Sequence, residues 1–124
     1  MGQRKTILIV DDDPFILDAF QSFLRWEGHR MIGVRCISEA IEQLFKERVD
    51  LVITEVNLVG LPATGLPGLI KQLHRDLPVV VMSDLEEMDS ARTLRQADLL
   101  LNKPLDLHET RAAIARLLTG GIKP

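Results

Sequence analysis

Short, continuous apolar segments alternate with longer segments of helical spacing along almost the whole chain. The apolar segments are residues 6–10, 31–34, 51–54, 79–82 and 99–101. Several are rich in β-branched residues and lack a polar alternation, which is typical of strands that are buried on both faces. This alternation predicts five strand–helix units, and therefore an α/β fold in which helices cover both faces of a parallel sheet.

The longer segments place apolar residues on one face at the spacing of an α-helix. The five stripes are Ile16, Ala19, Phe20, Phe23 and Leu24; Ala40, Ile41, Leu44 and Phe45; Leu66, Leu69, Ile70 and Leu73; Ala91, Leu94 and Arg95; and Leu107, Ile114, Leu117 and Leu118. The fourth stripe is the weakest. Pro14 suits the first turn of the first helix, and Ser38 and Asp106 are predicted N-caps of the second and fifth helices.

The bulk composition is that of one ordinary globular domain. The chain has 124 residues, of which 46% are hydrophobic and 27% are charged, which argues against disorder and against two domains. A net charge of −3 provides no basic surface for nucleic acid. The single cysteine excludes a disulfide within the chain, and no apolar run approaches the roughly 20 residues that span a bilayer. We therefore expect a cytoplasmic domain without membrane or direct nucleic-acid contact.

Polar and charged residues follow the apolar segments. In chain order these are Asp11, Asp12, Asp13, Glu55, Asn57, Ser83, Asp84, Asn102 and Lys103. In an open parallel sheet the ligand site lies beyond the carboxyl ends of the strands, so these residues are expected to converge. Consecutive carboxylates repel one another, and a divalent cation with oxygen ligands, such as Mg²⁺, would relieve that repulsion.

Four sequence segments, in this order, resemble the receiver domain of two-component response regulators. They are ILIVDDDP at residues 7–14, DLVITE at 50–55, PVVVMS at 78–83 and the Lys103–Pro104 pair. Together they span about residues 5–118, within an expected single receiver domain over residues 1–124. The resemblance implies a flavodoxin-like (βα)5 fold with strand order 2-1-3-4-5.

The resemblance also implies a role for each residue of the site. Asp11 and Asp12 would hold Mg²⁺ together with Glu55 and the backbone carbonyl of Asn57. Position 55 would accept a phosphoryl group from a histidine kinase. Ser83 would hydrogen-bond that group, and Lys103 would pair with its charge.

This sequence departs from the family pattern at four places around the site. Glu55 stands where the family has aspartate, and its stem is one methylene longer. The loop after it has Val59 in place of the usual proline and reaches its glycine later. Leu100 replaces the aromatic residue that reports the state of Ser83, and Asp84 adds a negative charge. These departures predict a receiver that is not phosphorylated in the usual way and that acts through protein–protein interaction.

Three alternatives remain open at this point. The chain could be a working receiver that is phosphorylated on Glu55 or another acid. Asp11–Asp13 also fits the Asp-x-Asp pattern of haloacid-dehalogenase-like phosphatases, although those enzymes need a further acidic pair after the lysine. A flavin carrier of the same fold would need a phosphate cradle after the first strand, where three aspartates would repel a phosphate.

The predicted partners follow from the resemblance alone. A histidine kinase or another signalling protein would be the main partner. Receivers commonly form homodimers through the face made by the fourth helix, fifth strand and fifth helix, and that face is a candidate here. No enzymatic activity is expected.

Overall fold

The computed structural model describes residues 4–55, 65–84 and 97–119, apart from the side chain of Asp84. Within them the chain forms five strands and four helices. In chain order these are β1 (Thr6–Val10), α1 (Pro14–Trp26), β2 (Arg30–Val34), α2 (Ile37–Lys46), β3 (Leu51–Glu55), α3 (Gly65–Leu73), β4 (Val79–Asp84), β5 (Leu99–Lys103) and α4 (Leu107–Leu118). The predicted fourth stripe, Ala91, Leu94 and Arg95, lies outside the described residues, so α4 corresponds to the fifth predicted helix.

The five strands form one parallel sheet in the order β2-β1-β3-β4-β5, which confirms the expected fold class and strand order. Three strands, β3, β4 and β5, continue past the carboxyl ends of their apolar segments. Glu55 is paired opposite Met82, and Asp84 is paired opposite Lys103. The polar residues at these strand ends therefore have backbones that are positioned by the sheet rather than by loops.

Alternate residues of each strand enter two separate cores. One core lies between the sheet and α2 and α3, and includes Leu8, Val10, Val52, Val79 and Val81 from the strands. The other lies between the sheet and α1 and α4, and includes Ile7, Ile9, Leu51, Ile53, Val80, Met82 and Leu101. Burial on both faces explains why the strands are continuously apolar. No described helix is long and apolar enough to cross a membrane.

Two of the three predicted helix starts are confirmed. Pro14 begins α1 after Asp13, whose Oδ1 accepts the Phe15 amide at 2.9 Å. Asp106 caps α4 and accepts the Glu109 amide, also at 2.9 Å. The prediction for Ser38 was wrong.

In the structure, α2 begins at Ile37, so Ser38 lies inside its first turn and Cys36 takes the N-cap position without a side-chain hydrogen bond. Glu39 instead reaches back, and its Oε1 accepts the Arg35 amide at 3.2 Å. An acidic residue at the third helical position usually accepts the N-cap amide, and here it accepts the amide one residue earlier.

Four described residues of the predicted apolar stripes are exposed, namely Ala19, Phe45, Leu73 and Leu107, and Phe45 and Leu107 are the most exposed of the large ones. Phe45 is 72% exposed and Leu107 is 65% exposed. In α2 the buried contacts are made by Ala40 and Leu44, and Phe45 is rotated about 100° from Leu44 around the helix axis. The sheet covers only one side of each helix, and these two residues lie beyond that side.

Two aspartates fix the register at the amino edge of the sheet. Asp50, just before β3, accepts the Thr6 amide at 2.9 Å and donates its own amide to the Thr6 carbonyl at 2.8 Å. Asp98, just before β5, forms the same pair with Val79, with both distances 2.8 Å. The Asp98 carboxylate also binds Lys71 of α3 at 2.7 Å. Each aspartate thus pins the start of a neighbouring strand.

We expect Asp98→Ala to lower the free energy of unfolding by about 1–2 kcal/mol, because the buried Val79 amide loses its acceptor. Asp76→Ala is the matched control, since Asp76 is exposed and has no hydrogen bond among the described residues. Urea unfolding followed by circular dichroism measures both. Equal effects of the two substitutions would contradict a register role for Asp98.

Candidate functional site

The carboxyl ends of β1, β3 and β5 bring one lysine and two acids into contact. Lys103 Nζ lies 2.8 Å from Glu55 Oε1 and 3.1 Å from Asp11 Oδ2. Asp11 is fully buried, while the side chains of Glu55 and Lys103 are only about 15% exposed. Sequence analysis placed all three at this edge, and the structure shows that Lys103 contacts both Asp11 and Glu55.

The three consecutive aspartates point in different directions and have different tasks. Asp11 points inward, and its Oδ1 accepts the Asp13 amide at 2.9 Å while its own amide binds the Val34 carbonyl at 3.1 Å. Asp12 is exposed at the rim of the site. Asp13 caps α1 and does not belong to the acidic cluster. The turn therefore separates a buried acid from an accessible one.

Arg35 is a site residue that sequence analysis missed. Its Nε and Nη2 donate to the Asp12 carbonyl oxygen at 3.3 and 3.0 Å. The guanidinium thereby ties the end of β2 to the turn that carries the acids, and brings a positive charge close to them. The one sequence signal for Arg35 is that it directly follows β2, the strand next to β1. That signal is weak, because many arginines after strands are exposed and have no role in a site.

Asp11, Asp12 and Glu55 form a cluster in which one oxygen of each residue lies within 4.8 Å of the others. Three oxygen donors, one of them accessible from solvent, are the kind of ligand set that Mg²⁺ takes. With Lys103 alongside, the ionised cluster keeps two net negative charges, which a divalent cation would neutralise. The residues present therefore fit a hard divalent cation. The fourth predicted ligand, Asn57, lies outside the described residues.

Burial raises the pKa of Glu55 from 4.5 to about 7. The Lys103 ammonium opposes this rise, and the negative charge of Asp11 adds to it. For Lys103, burial alone would lower the pKa, but the hydrogen bonds with Glu55 and Asp11 prevail and raise it above its usual 10.5. The lysine is therefore firmly charged, whereas the glutamate titrates near neutrality.

The raised pKa of Glu55 links the protonation of this site to stability. The folded chain binds this proton more tightly than the unfolded chain does. Glu55 therefore makes its full contribution to the free energy of unfolding below about pH 4.5. This contribution is lost as the pH rises from there to about 7. A positive partner such as Lys103 limits that loss.

The remaining predicted site residues lie nearby or outside the described part. Ser83 is buried near the end of β4, opposite Asn102 of β5. Leu100 is partly buried and packs against the core between the sheet and α2 and α3, whereas its neighbour Leu101 lies in the other core. Asp84 is paired in the sheet, but its side chain lies outside the described residues, as does the loop after Glu55.

Comparison with known proteins matches the chain to one family. A model of the response regulator receiver domain matches residues 7–115. Response regulator protein FleR of Pseudomonas aeruginosa is 32% identical over 117 residues, which cover 92% of this chain and 24% of FleR. The chain spans about a quarter of the length of FleR and of similar curated relatives. These matches give no support to the phosphatase alternative.

Solved structures agree with the family match. The receiver domain of a signal transduction histidine kinase from Syntrophus aciditrophicus has a TM-score of 0.85 and 28% identity, with 97% of this chain and 94% of that one covered. Response regulator TrrA from Thermotoga maritima, solved in complex with Mg²⁺-BeF, has a TM-score of 0.83 and 25% identity, with 92% and 99% covered.

We expect Lys103→Met to lower the free energy of unfolding at neutral pH by about 2–4 kcal/mol, because it leaves the buried Asp11 and the adjacent Glu55 without their cation. The loss should be smaller at about pH 5, where Glu55 is already protonated.

Lys46→Met serves as the control for this substitution. Lys46 is exposed, its nearest carboxylate is 3.8 Å away, and its loss should change stability by less than about 0.5 kcal/mol. Urea unfolding at both pH values measures the two variants. A loss for Lys103→Met that does not grow with pH would contradict the ion-pair interpretation.

Proposed function

This chain belongs to the response regulator receiver domain family, and we propose that it is a receiver whose phosphoacceptor position is held by Glu55. Such a receiver is not phosphorylated in the usual way and signals by protein–protein interaction. The observation that carries the proposal is the contact of Lys103 Nζ with both Glu55 and Asp11 at the carboxyl edge of the sheet.

The geometry of Glu55 argues against ordinary phosphoryl transfer. Positioning dominates the transfer of a phosphoryl group, and the attacking oxygen must lie in line with the phosphorus. A glutamate stem, longer by one methylene, moves the carboxylate by about 1 Å or more from where an aspartate would hold it. In this structure the carboxylate is instead held by Lys103 at 2.8 Å.

The charge of Glu55 suits a partner of Lys103 better than a mimic of phosphorylated aspartate. Glutamate carries at most one negative charge, whereas a phosphorylated side chain carries roughly −1.5 to −2. Because burial raises the pKa of Glu55 to about 7, that single charge also depends on Lys103. Glu55 is therefore a permanent partner of Lys103 and a partial mimic at most.

We assign Asp11, Asp12 and Glu55 as the residues that would hold Mg²⁺, with the Asn57 carbonyl as a further ligand. The oxygen cluster described above supports this assignment, and TrrA, a similar protein, has been solved with Mg²⁺-BeF. A bound divalent cation would offset the mutual repulsion of the carboxylates. Arg35 holds the turn that carries Asp12, and Lys103 neutralises part of the charge.

The proposed partners are a histidine kinase or another signalling protein, as for receivers in general. Receiver domains are signalling modules, and the proposal includes no enzymatic step. Because the chain spans about a quarter of its first curated relatives, any output activity of a whole protein is a separate question. Contact through the fourth predicted helix, β5 and α4 remains a proposal, since that helix lies outside the described residues.

The Mg²⁺ proposal predicts that Mg²⁺ shifts the titration of the Glu55 carboxyl group. NMR of the carboxyl carbon follows this titration. Without metal its midpoint should lie near pH 7. Excess Mg²⁺ should lower the midpoint by about one unit or more, because a nearby cation favours the ionised form.

Two comparisons sharpen this titration. Asp12→Asn should weaken the effect of Mg²⁺, since it removes the accessible ligand. The carboxyl resonance of Glu42, exposed on α2, should not respond to Mg²⁺. A Glu55 midpoint that is insensitive to Mg²⁺ would contradict the metal assignment.

The phosphoacceptor proposal predicts that acetyl phosphate with Mg²⁺ does not label the wild-type chain, as measured by intact mass spectrometry. Glu55→Asp should gain a phosphoryl group at residue 55, because Asp11, Asp12 and Lys103 are retained. Glu55→Gln is the unlabelled control. Labelling of the wild type that disappears in Glu55→Gln would show that Glu55 is itself a working acceptor, and would overturn the proposal.

A further inference from the structure

Helix α1 exposes an aromatic and small-residue stripe to solvent. Phe15 and Trp26, at the two ends of the helix, are 81% and 80% exposed. Ala19 and Ser22 lie between them on the same face and are also exposed. Single exposed aromatic residues are ordinary, but two on one helix face beside an apolar groove form a candidate interaction surface.

The stripe continues into a groove between α1 and α4 of about 650 Å³. Phe23 and Trp26 of α1 and Leu107 of α4 provide its apolar surface. The ion pair between Glu27 and Arg111, at 2.7 Å, joins the same two helices beside the groove. The exposed aromatic stripe therefore borders a preformed apolar depression.

The stripe is symmetric in sequence. Phe15, Ala19, Ser22 and Trp26 follow one another at intervals of four, three and four residues, so the pattern is the same in both directions along the helix. An antiparallel copy of α1 would place Phe15 against Trp26 of the other copy at both ends. The small residues Ala19 and Ser22 would let the two helices approach closely at the centre.

The charged residues beside the stripe, Asp18 and Arg25, would also pair with each other between two antiparallel copies of α1. Asp18 and Arg25 are both exposed on the side of α1 that faces away from α4, and neither forms an ion pair within the described residues. In the antiparallel arrangement Asp18 of one copy lies about 3 Å along the axis from Arg25 of the other, which an arginine side chain can span. Two opposite-charge pairs would form across a two-fold axis.

We propose that this face of α1, with the bordering groove, binds a second copy of this chain in an antiparallel, two-fold symmetric dimer. The stripe and the flanking charges are both self-complementary. This favours a second copy over an unrelated helix, because an unrelated helix would match both the spacing and the charges only by coincidence. No residue of the stripe or of the groove belongs to the acidic cluster of Asp11, Asp12 and Glu55.

Charge reversal provides the central test, with sedimentation velocity of the full chain over roughly a hundredfold range of concentration. Asp18→Arg alone and Arg25→Asp alone should each raise the dimer dissociation constant about tenfold or more, because each places like charges opposite one another twice. An equimolar mixture of the two variants should dimerise again, since both opposite-charge pairs are restored in the heterodimer. Glu42→Arg, an equivalent reversal on α2, is the control.

Trp26 offers a second readout, because it is the only tryptophan in the chain. Its fluorescence emission should shift to shorter wavelength as the concentration of the wild-type chain rises. Trp26→Ala should weaken self-association about tenfold or more, whereas Phe45→Ala, which removes a similarly exposed aromatic residue from α2, should not.

Three results would overturn the proposal. The first is a wild-type chain that stays monomeric over the whole range. The second is a dimer that is insensitive to Asp18→Arg. The third is a mixture of the two charge variants that fails to associate while circular dichroism shows both to be folded. A monomer that binds a foreign helical protein through Trp26 would assign the face to that other occupant instead.

Discussion

One ammonium group, that of Lys103, holds three strand ends together. It lies between the carboxylates of Asp11 and Glu55, and Asp11 is fully buried. A buried carboxylate without a partner is strongly unfavourable, so the acidic turn before α1 and the end of β3 both depend on this lysine. The same ammonium also donates a hydrogen bond to Glu55 Oε1 at 2.8 Å.

The two edges of the sheet use acidic residues in opposite ways. At the amino edge, Asp50 and Asp98 accept backbone amides of neighbouring strands and stabilise the register. At the carboxyl edge, Asp11, Asp12 and Glu55 crowd like charges into a small volume. Proteins break such local rules of charge placement mainly at functional sites, which supports the role proposed for the carboxyl edge.

Much of the fold could be predicted from sequence because burial leaves a periodic trace. Continuous β-branched segments predicted a sheet that is covered on both faces, and the residues after them predicted a site at its carboxyl edge. The failures are also physical. Phe45 and Leu107 fit an apolar stripe but lie beyond the cover of the sheet. Ser38 is a good capping residue, but α2 begins at Ile37, two residues before the start that a cap at Ser38 would give.

The sequence by itself determined the fold class, the family and the set of acids and the lysine at the strand ends, since these depend on local pattern and order. Only the tertiary structure decided which of them touch. Lys103 binds Asp11 from 92 positions away, and Arg35 holds the Asp12 carbonyl across 23. Such contacts depend on strand register and side-chain direction, which no local pattern records. The raised pKa of Glu55 likewise follows from its burial in the folded chain, which outweighs the opposing effect of Lys103.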